Sequence, residues 1–244
     1  MTYCVGVYIK EGLVFASDSR TNAGVDQVAT FRKVSVFEKP DERVMVLLSA
    51  GNLATSQGVM TRLNQQIVDP DCIHSLFTAR TMYDATRHVG EVYRAVLEVD
   101  GAHVRSQNAD PGCDFIFGGQ IKGEAPRLSH IYSAGNFIQA TPDTPFLQIG
   151  ETKYGKPIMD RVIDFNMPLG RATKGALISF DSTMRSNLSV GLPIDVVCYR
   201  TDSFKVGARV TIRDNDPYFS AIRKRYGKAL FDLFGRLPNP DWVD

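Results

Sequence analysis

The order in which the hydrophobic period changes along the chain restricts its fold more than any other feature. Short runs rich in Val, Ile, Tyr and Phe recur at Tyr3–Ile9, Leu13–Ala16, Lys33–Phe37 and Arg43–Ser49, with the length and composition of β-strands. Lys10-Glu11-Gly12 reads as a hairpin turn in which glycine supplies the positive φ, and Lys39-Pro40-Asp41 reads as another turn. Ser19–Thr30 reads as a polar loop. After Ala50-Gly51-Asn52 the period lengthens. Val59, Leu63 and Ile67 mark one helix, and a second is expected from near Ser75 to about Val99, with Met82, Ala85, Val89, Val92 and Val96 in one stripe.

Strand signals return at Asp114–Phe117, Leu128–Tyr132 and Phe137–Ala140. Helical patterns then cover Lys153–Asn166, with Tyr154, Ile158, Val162 and Phe165 on one side, and Lys174–Leu188. Strands at Ile194–Arg200 and Ala208–Ile212 precede a last helix, Pro217–Phe234, expected to turn Phe219, Ile222, Tyr226, Leu230 and Leu233 inward. Helices therefore arrive in sequential pairs. A doubly wound parallel sheet needs single crossovers between strands, so two antiparallel sheets packed together with helices outside fit better. With no internal repeat or low-complexity linker, residues 1–244 read as a single domain.

Composition excludes several function classes. Hydrophobic residues at 43% and charged residues at 23% are ordinary for a globular protein, and the net charge is only +1. The densest basic stretch, Arg223-Lys224-Arg225, reads as the wet face of a helix, so no nucleic-acid partner is expected. No run approaches the roughly 18 apolar residues of a membrane span. Lys10, Glu11, Asp18 and Arg20 interrupt any secretory signal, and a cytoplasmic location without membrane attachment is expected. Cys4, Cys72, Cys113 and Cys198 are scattered, without CxxC or His partners at metal spacing. They read as idle thiols, and no metal or organic cofactor is implied. Cys113, which follows Pro111-Gly112, has no histidine close in sequence to activate it.

Thr2 is the candidate nucleophile because of where it stands. Its small side chain permits removal of Met1, which gives a first residue bearing both a hydroxyl and a free α-amine. That amine titrates near pKa 7.7–8.0, so nucleophile and base belong to one residue and no histidine is required. Asp18 follows where the second strand runs into a loop, and Lys33 stands at the start of the third strand. A lysine against the threonine would favour the alkoxide and keep the amine neutral, while Asp18 would compensate the buried cation. Residue types and spacing alone fit an ordinary loop Asp and strand-edge Lys equally well.

The opening segment resembles the start of proteasome β-subunits and their bacterial relatives. It has an N-terminal Thr, the pair Val5-Gly6, a Lys-acid-Gly turn and the ending Ala16-Ser17-Asp18-Ser19-Arg20. Ser49-Ala50-Gly51 resembles the family's oxyanion-hole segment. Gly118-Gly119, Ile149-Gly150 and Ser189-Val190-Gly191 extend the likeness thinly. The stretches at 17–24 (SDSRTNAG), 30–33 (TFRK) and 148–158 (QIGETKYGKPI) look most like Anbu, the ancestral β-subunit branch. Three departures stand against this background. The loop before Lys33 is one residue short. Glu151 and Thr152 replace a Ser-Gly pair whose serine supports the catalytic amine. Ser186-Asn187-Leu188-Ser189 keeps only the second member of an Asp-x-x-Ser pair, leaving Ser189 to support the amine by hydrogen bonding.

The resemblance implies an α+β, four-layer αββα sandwich of the N-terminal-nucleophile hydrolases. It implies peptide-bond hydrolysis by Thr2, with Asp18 and Lys33 as its catalytic partners and the Gly51 amide at the oxyanion. No propeptide is expected beyond Met1. A homo-oligomer is implied, as a ring or an open helical assembly, acting on peptide or protein substrates; no ATPase partner is identifiable. Two other readings use the same fold: a small-amide or short-peptide amidase, and a non-catalytic assembly subunit.

Overall fold

In a computed structural model the fold is described for residues 2–22 and 28–243; Met1 and Ala23-Gly24 of the sequence motif lie outside the described residues. The first sheet is built from β1 (Tyr3–Ile9), β2 (Gly12–Asp18), β10 (Phe146–Gly150), β11 (Ile194–Arg200) and β12 (Val206–Ile212), in the order β10-β1-β2-β11-β12. The second contains β5 (Val34–Lys39), β6 (Arg43–Gly51), β7 (Cys113–Ile121), β8 (Arg127–Ile131) and β9 (Phe137–Gln139), in sequence order. Every strand pairing is antiparallel. β3 (Arg20–Asn22) and β4 (Val28–Thr30) form a small ribbon where the sequence suggested only a polar loop.

The layers follow from the burial pattern. Cys4, Leu13, Phe15, Val46, Leu48 and Ile116 pack between the two sheets. Helices α1 (Leu53–Val68) and α2 (Met82–Ser106) cover the outer face of the second sheet, through Val59, Leu63, Val89, Val92 and Val96. Helices α3 (Thr152–Val162), α4 (Leu169–Ser186) and α5 (Pro217–Phe234) cover the first, through Met159, Ala176, Phe180 and Phe219. The result is the αββα sandwich expected from the paired helices. Strands completely buried on both faces, such as β2, are apolar without alternation for this reason.

Local chemistry accounts for the boundaries that differ from the sequence reading. α2 starts at Met82 rather than near Ser75, because Thr81 Oγ1 accepts the Asp84 amide at 3.0 Å and caps the helix there. Ser75 instead closes a turn, its amide donating to Thr78 Oγ1 at 2.8 Å. α4 starts at Leu169, immediately after Pro168. β7 continues through Gly118 and Gly119, which pair with Val46 and Met45. β10 is a strand the sequence reading passed over.

Two helices differ in which face they bury. α3 turns Gly155 and Met159 to the core, while Val162 of the expected stripe is exposed. α5 buries Phe219 alone, and Leu230 and Leu233 face outward. No helix among the described residues is long and apolar enough to cross a membrane.

Candidate active site

Thr2 stands at the edge where the two sheets meet, immediately ahead of β1. Its carbonyl oxygen accepts the Glu151 amide at 2.8 Å, extending the β1–β10 ladder one step beyond Tyr3–Gly150. This sets Thr2 and Glu151 opposite each other across the two strands. Gly150 has φ +81°, and a Cβ there would overlap the Thr2 carbonyl oxygen, so only glycine allows β10 to approach this closely. Below Thr2 the ring of Tyr3 is buried, and its hydroxyl lies 2.9 Å from Ser179 Oγ on α4 and accepts from Gln148 Nε2. Burial pushes this phenol up to about 12, so it stays protonated.

Asp18 and Lys33 meet beside this strand end. Lys33 Nζ lies 2.9 Å from Asp18 Oδ1 and donates to the Arg20 carbonyl at 2.6 Å; the Tyr3 amide donates to the same carboxylate oxygen at 3.0 Å. Asp18 ends β2 in the first sheet, whereas Lys33 immediately precedes β5 in the second, so this ion pair ties the sheets together at one edge. Asp18 is fully buried and Lys33 is 8% exposed. Burial pushes the Asp18 carboxyl up, opposed by the Lys33 charge and by hydrogen bonds from Lys33 and Tyr3. The Lys33 carbonyl accepts the Ser49 amide at 3.1 Å, which fixes its backbone against β6.

Gly51 closes β6 on the other side of the cleft. The Cys113 amide donates to the Tyr93 hydroxyl at 2.8 Å, so Gly51 and Cys113 face each other without sharing a ladder hydrogen bond. The Ser49 amide points toward β5, and by the period of the strand the Gly51 amide points the same way, past the last β5 pairing. Gly51 has φ +118°, and a side chain would overlap the Gly112 carbonyl oxygen.

These groups surround a cleft of about 520 Å³ whose lining includes Thr2, Lys33, Gly51 and Glu151, together with Ser35 and Met60. Four of the residues singled out from sequence thus converge: Thr2, Lys33 and Gly51 at the cleft, with Asp18 bonded to Lys33 behind it. Ser189 does not line it. It follows α4, and its amide donates to Asn187 Oδ1 at 2.9 Å, near the point where Arg20 grips the Leu188 carbonyl. Glu151, marked in the sequence only as a departure, is the carboxylate across from Thr2, and its side chain makes no hydrogen bond or ion pair to the described residues. The β1–β10 register alone sets this relationship, and the short β10 carries little strand signal in the sequence.

The cysteines are free and take no part in this cleft. Cys113 donates to the Asn52 carbonyl at 3.0 Å, and burial pushes its thiol up to about 12, which suppresses the thiolate a nucleophile needs. Among the described residues no cluster of His, Cys, Asp or Glu has the makings of a metal site.

No protein-family model and no curated protein matches the chain. Solved structures do, over nearly the whole length. Anbu from Yersinia bercovieri is 50% identical, with 98% of each chain covered and a TM-score of 0.92. Anbu from Hyphomicrobium sp. strain MC1 is also 50% identical, covering 98% of this chain and 99% of that one, with a TM-score of 0.88. The Anbu complex from Pseudomonas aeruginosa, solved as a helical assembly, is 51% identical over 99% of this chain and 100% of its own, with a TM-score of 0.94. Identity at this level, end to end and on the same αββα sandwich, makes the chain a member of the Anbu (ancestral β-subunit) family of proteasome-like proteins.

Proposed function

We propose that the chain is a threonine peptidase that hydrolyses peptide bonds through Thr2 after removal of Met1. The observation that carries this reading is the buried Lys33–Asp18 pair at a cleft lined by Thr2 and Gly51. The neutral Thr2 amine, directly or through a water, takes the hydroxyl proton as Oγ attacks the substrate carbonyl. Negative charge then gathers on the carbonyl oxygen, where the Gly51 amide donates to it. Collapse breaks the C–N bond; the ammonium returns its proton to the departing amine and leaves an ester on Oγ. Water, deprotonated by the same amine, hydrolyses the ester and regenerates Thr2.

Lys33 stabilises the developing alkoxide, and Asp18 holds Lys33 in place. Glu151 faces the amine from across the ladder and takes the place of a supporting serine. The protein works in the cytoplasm and, like the Pseudomonas aeruginosa relative, assembles from copies of itself. Intact mass tests the central claim. Native protein lacking Met1 gains one adduct with an N-terminal-threonine electrophile and cleaves peptides, and Thr2→Ala does neither. Retention of Met1 in protein taken from its own host overturns it.

A further inference from the structure

One buried carboxylate plays no part in the chemistry proposed above. Asp195 lies on β11, opposite Ser17 of β2 on one side and Thr211 of β12 on the other. It is 8% exposed. Among the described residues its carboxylate is held by two hydroxyls and no cation: Ser19 Oγ donates to Oδ2 at 2.8 Å, and Thr211 Oγ1 donates to Oδ1. A carboxylate in such a place is costly, since its charge leaves water without meeting an opposite one. What it supplies is a pair of charge-assisted hydrogen bonds, each roughly twice as strong as a bond between neutral groups.

The Ser19 bond leads to the cleft. Ser19 is buried and stands between Asp18 and Arg20, whose carboxylate and carbonyl are the two acceptors of Lys33 Nζ among the described residues. Its amide donates to the Pro193 carbonyl and its carbonyl accepts the Phe31 amide, each at 2.9 Å. Two backbone bonds leave the turn free to rotate about the line that joins them. The side-chain bond to Asp195 is the third point that stops this rotation. It thereby fixes the directions in which the Asp18 side chain and the Arg20 carbonyl leave the turn. The Thr211 bond runs the other way, to the edge strand of the sheet.

We infer that Asp195 is a positioning residue for Lys33: through Ser19 it sets the turn from which the Asp18 carboxylate and the Arg20 carbonyl hold Nζ against the threonine. The inference rests on the reading that Thr2, Asp18 and Lys33 carry out peptide hydrolysis. Asp195 itself touches neither substrate nor nucleophile. Its effect is on where the lysine charge stands, and so on the rate of the chemical step rather than on substrate binding.

The test uses the full chain without Met1 and compares the two bonds of the same carboxylate. Ser19→Ala cuts the bond toward Lys33, and Thr211→Val cuts the other. Ser19→Ala is expected to lower kcat about tenfold, the scale of a displacement below 1 Å, with KM unchanged. Labelling of Thr2 by a threonine-directed electrophile slows in proportion. The acidic midpoint of the rate–pH profile also moves up, because the Lys33 charge that opposes the effect of burial on the Asp18 carboxyl is less well placed. Thr211→Val leaves kcat and that midpoint at their wild-type values, although chemical denaturation shows a similar loss of stability. Asp195→Asn keeps the side-chain shape but weakens the Ser19 bond, and shifts kcat and midpoint in the same direction as Ser19→Ala. Equal behaviour of Ser19→Ala and Thr211→Val, whether both active or both impaired, overturns the inference, as does an Asp195→Asn protein with wild-type kcat and midpoint. A wild type that neither labels nor turns over overturns the peptidase reading, and this inference with it.

Discussion

Lys33 Nζ stands 2.9 Å from Asp18 Oδ1, and each comes from a different sheet. The pair is a buried tie and, in the proposed function, a catalytic arrangement as well, and the two roles are expected to respond differently to mutation. Lys33→Met leaves Asp18 as an uncompensated buried charge and is expected to cost about 3–5 kcal/mol of stability. Asp18→Asn/Lys33→Met removes both charges and is expected to recover that loss, ending from neutral to about 1–4 kcal/mol above the wild type. On the proposed mechanism, peptidase activity is expected to be absent from both variants. Chemical denaturation alongside peptide turnover checks this, and a stable double variant that still turns over would remove the pair from the mechanism.

Acid dependence follows from the same carboxyl. Burial raises its pKa in the folded protein above the 3.8 of the free side chain. The proton therefore binds the native state more tightly than the unfolded one. The group favours folding below 3.8, and that advantage disappears as pH climbs through the folded value. The proposed activity is expected to run the other way, since that mechanism needs the carboxylate. Turnover is expected to fall on acidification with a midpoint above the ordinary Asp range, while wild-type stability relative to the uncharged double variant rises over that interval. Rate–pH profiles and thermal unfolding across pH 3.5–7 measure both.

Glu151 offers a second pH signature. Glu151 stands opposite Thr2 across β1–β10 and lines the same cleft, with no side-chain partner among the described residues. At cross-strand distance in a well-solvated cleft, a unit charge is worth somewhat under about 1 kcal/mol, or about half a pH unit on the amine. The amine must be neutral to act as base, so activity rises with pH through its pKa. Glu151→Gln is expected to lower that limb by about half a pH unit with little change in stability. An unmoved limb would leave Glu151 without influence on the amine.

Legibility in the sequence varied with how local the determining physics is. β1, β2 and β6 were readable from strong apolar runs, whereas Thr2, Asp18 and Lys33 stood out through the resemblance of the opening segment to proteasome β-subunits, since spacing alone left Asp18 and Lys33 ambiguous. The αββα order was readable from paired helices. β10 was not, because Phe146–Gly150 is short and follows a turn with no β-branched run beyond Ile149. Its register with β1 carries the Thr2–Glu151 relationship, so that relationship went with it. The faces of α3 and α5 were misread for a different reason. Periodicity marks a stripe that a helix could bury but not how much of it the sheet takes; the core takes Met159 and Phe219 fully and Ile163 and Ile222 in part.

Gly51 is expected to be more sensitive in function than in folding. Its φ of +118° and the Gly112 carbonyl behind it exclude a side chain. Gly51→Ala is therefore expected to displace the end of β6 at a cost of about 1–3 kcal/mol. If the Gly51 amide serves the oxyanion as proposed, displacing it is expected to cost about 10²–10³ in turnover. Gly150→Ala makes a useful contrast, since its overlap falls on the Thr2 carbonyl oxygen and shifts the nucleophile instead. Labelling by the threonine-directed electrophile separates them: Gly51→Ala slows turnover while keeping a reactive Thr2, and Gly150→Ala slows both.

Tyr3 gives a last test, because it supports the site from beneath without touching it. Its ring packs 4.6 Å from Phe180, and its hydroxyl joins Ser179 of α4 to Gln148 of β10. Thr2 is the next residue, so this buried bridge sets the depth at which β1 begins. Tyr3→Phe keeps the ring and its packing but removes the bond from the half-buried Gln148 amide, a loss of about 0.5–1.5 kcal/mol. Ser179 keeps its bond to the Ala176 carbonyl at 2.6 Å and adds little to that figure. Because the Tyr3 backbone amide still donates to Asp18, the Lys33–Asp18 geometry survives, and turnover at low temperature is expected to stay within about threefold of wild type. The melting temperature falls by several degrees, on the order of 2–4 °C per kcal/mol for a chain of this size. A Tyr3→Phe protein with full stability but strongly reduced turnover would assign the hydroxyl to the chemistry rather than to the support of β1.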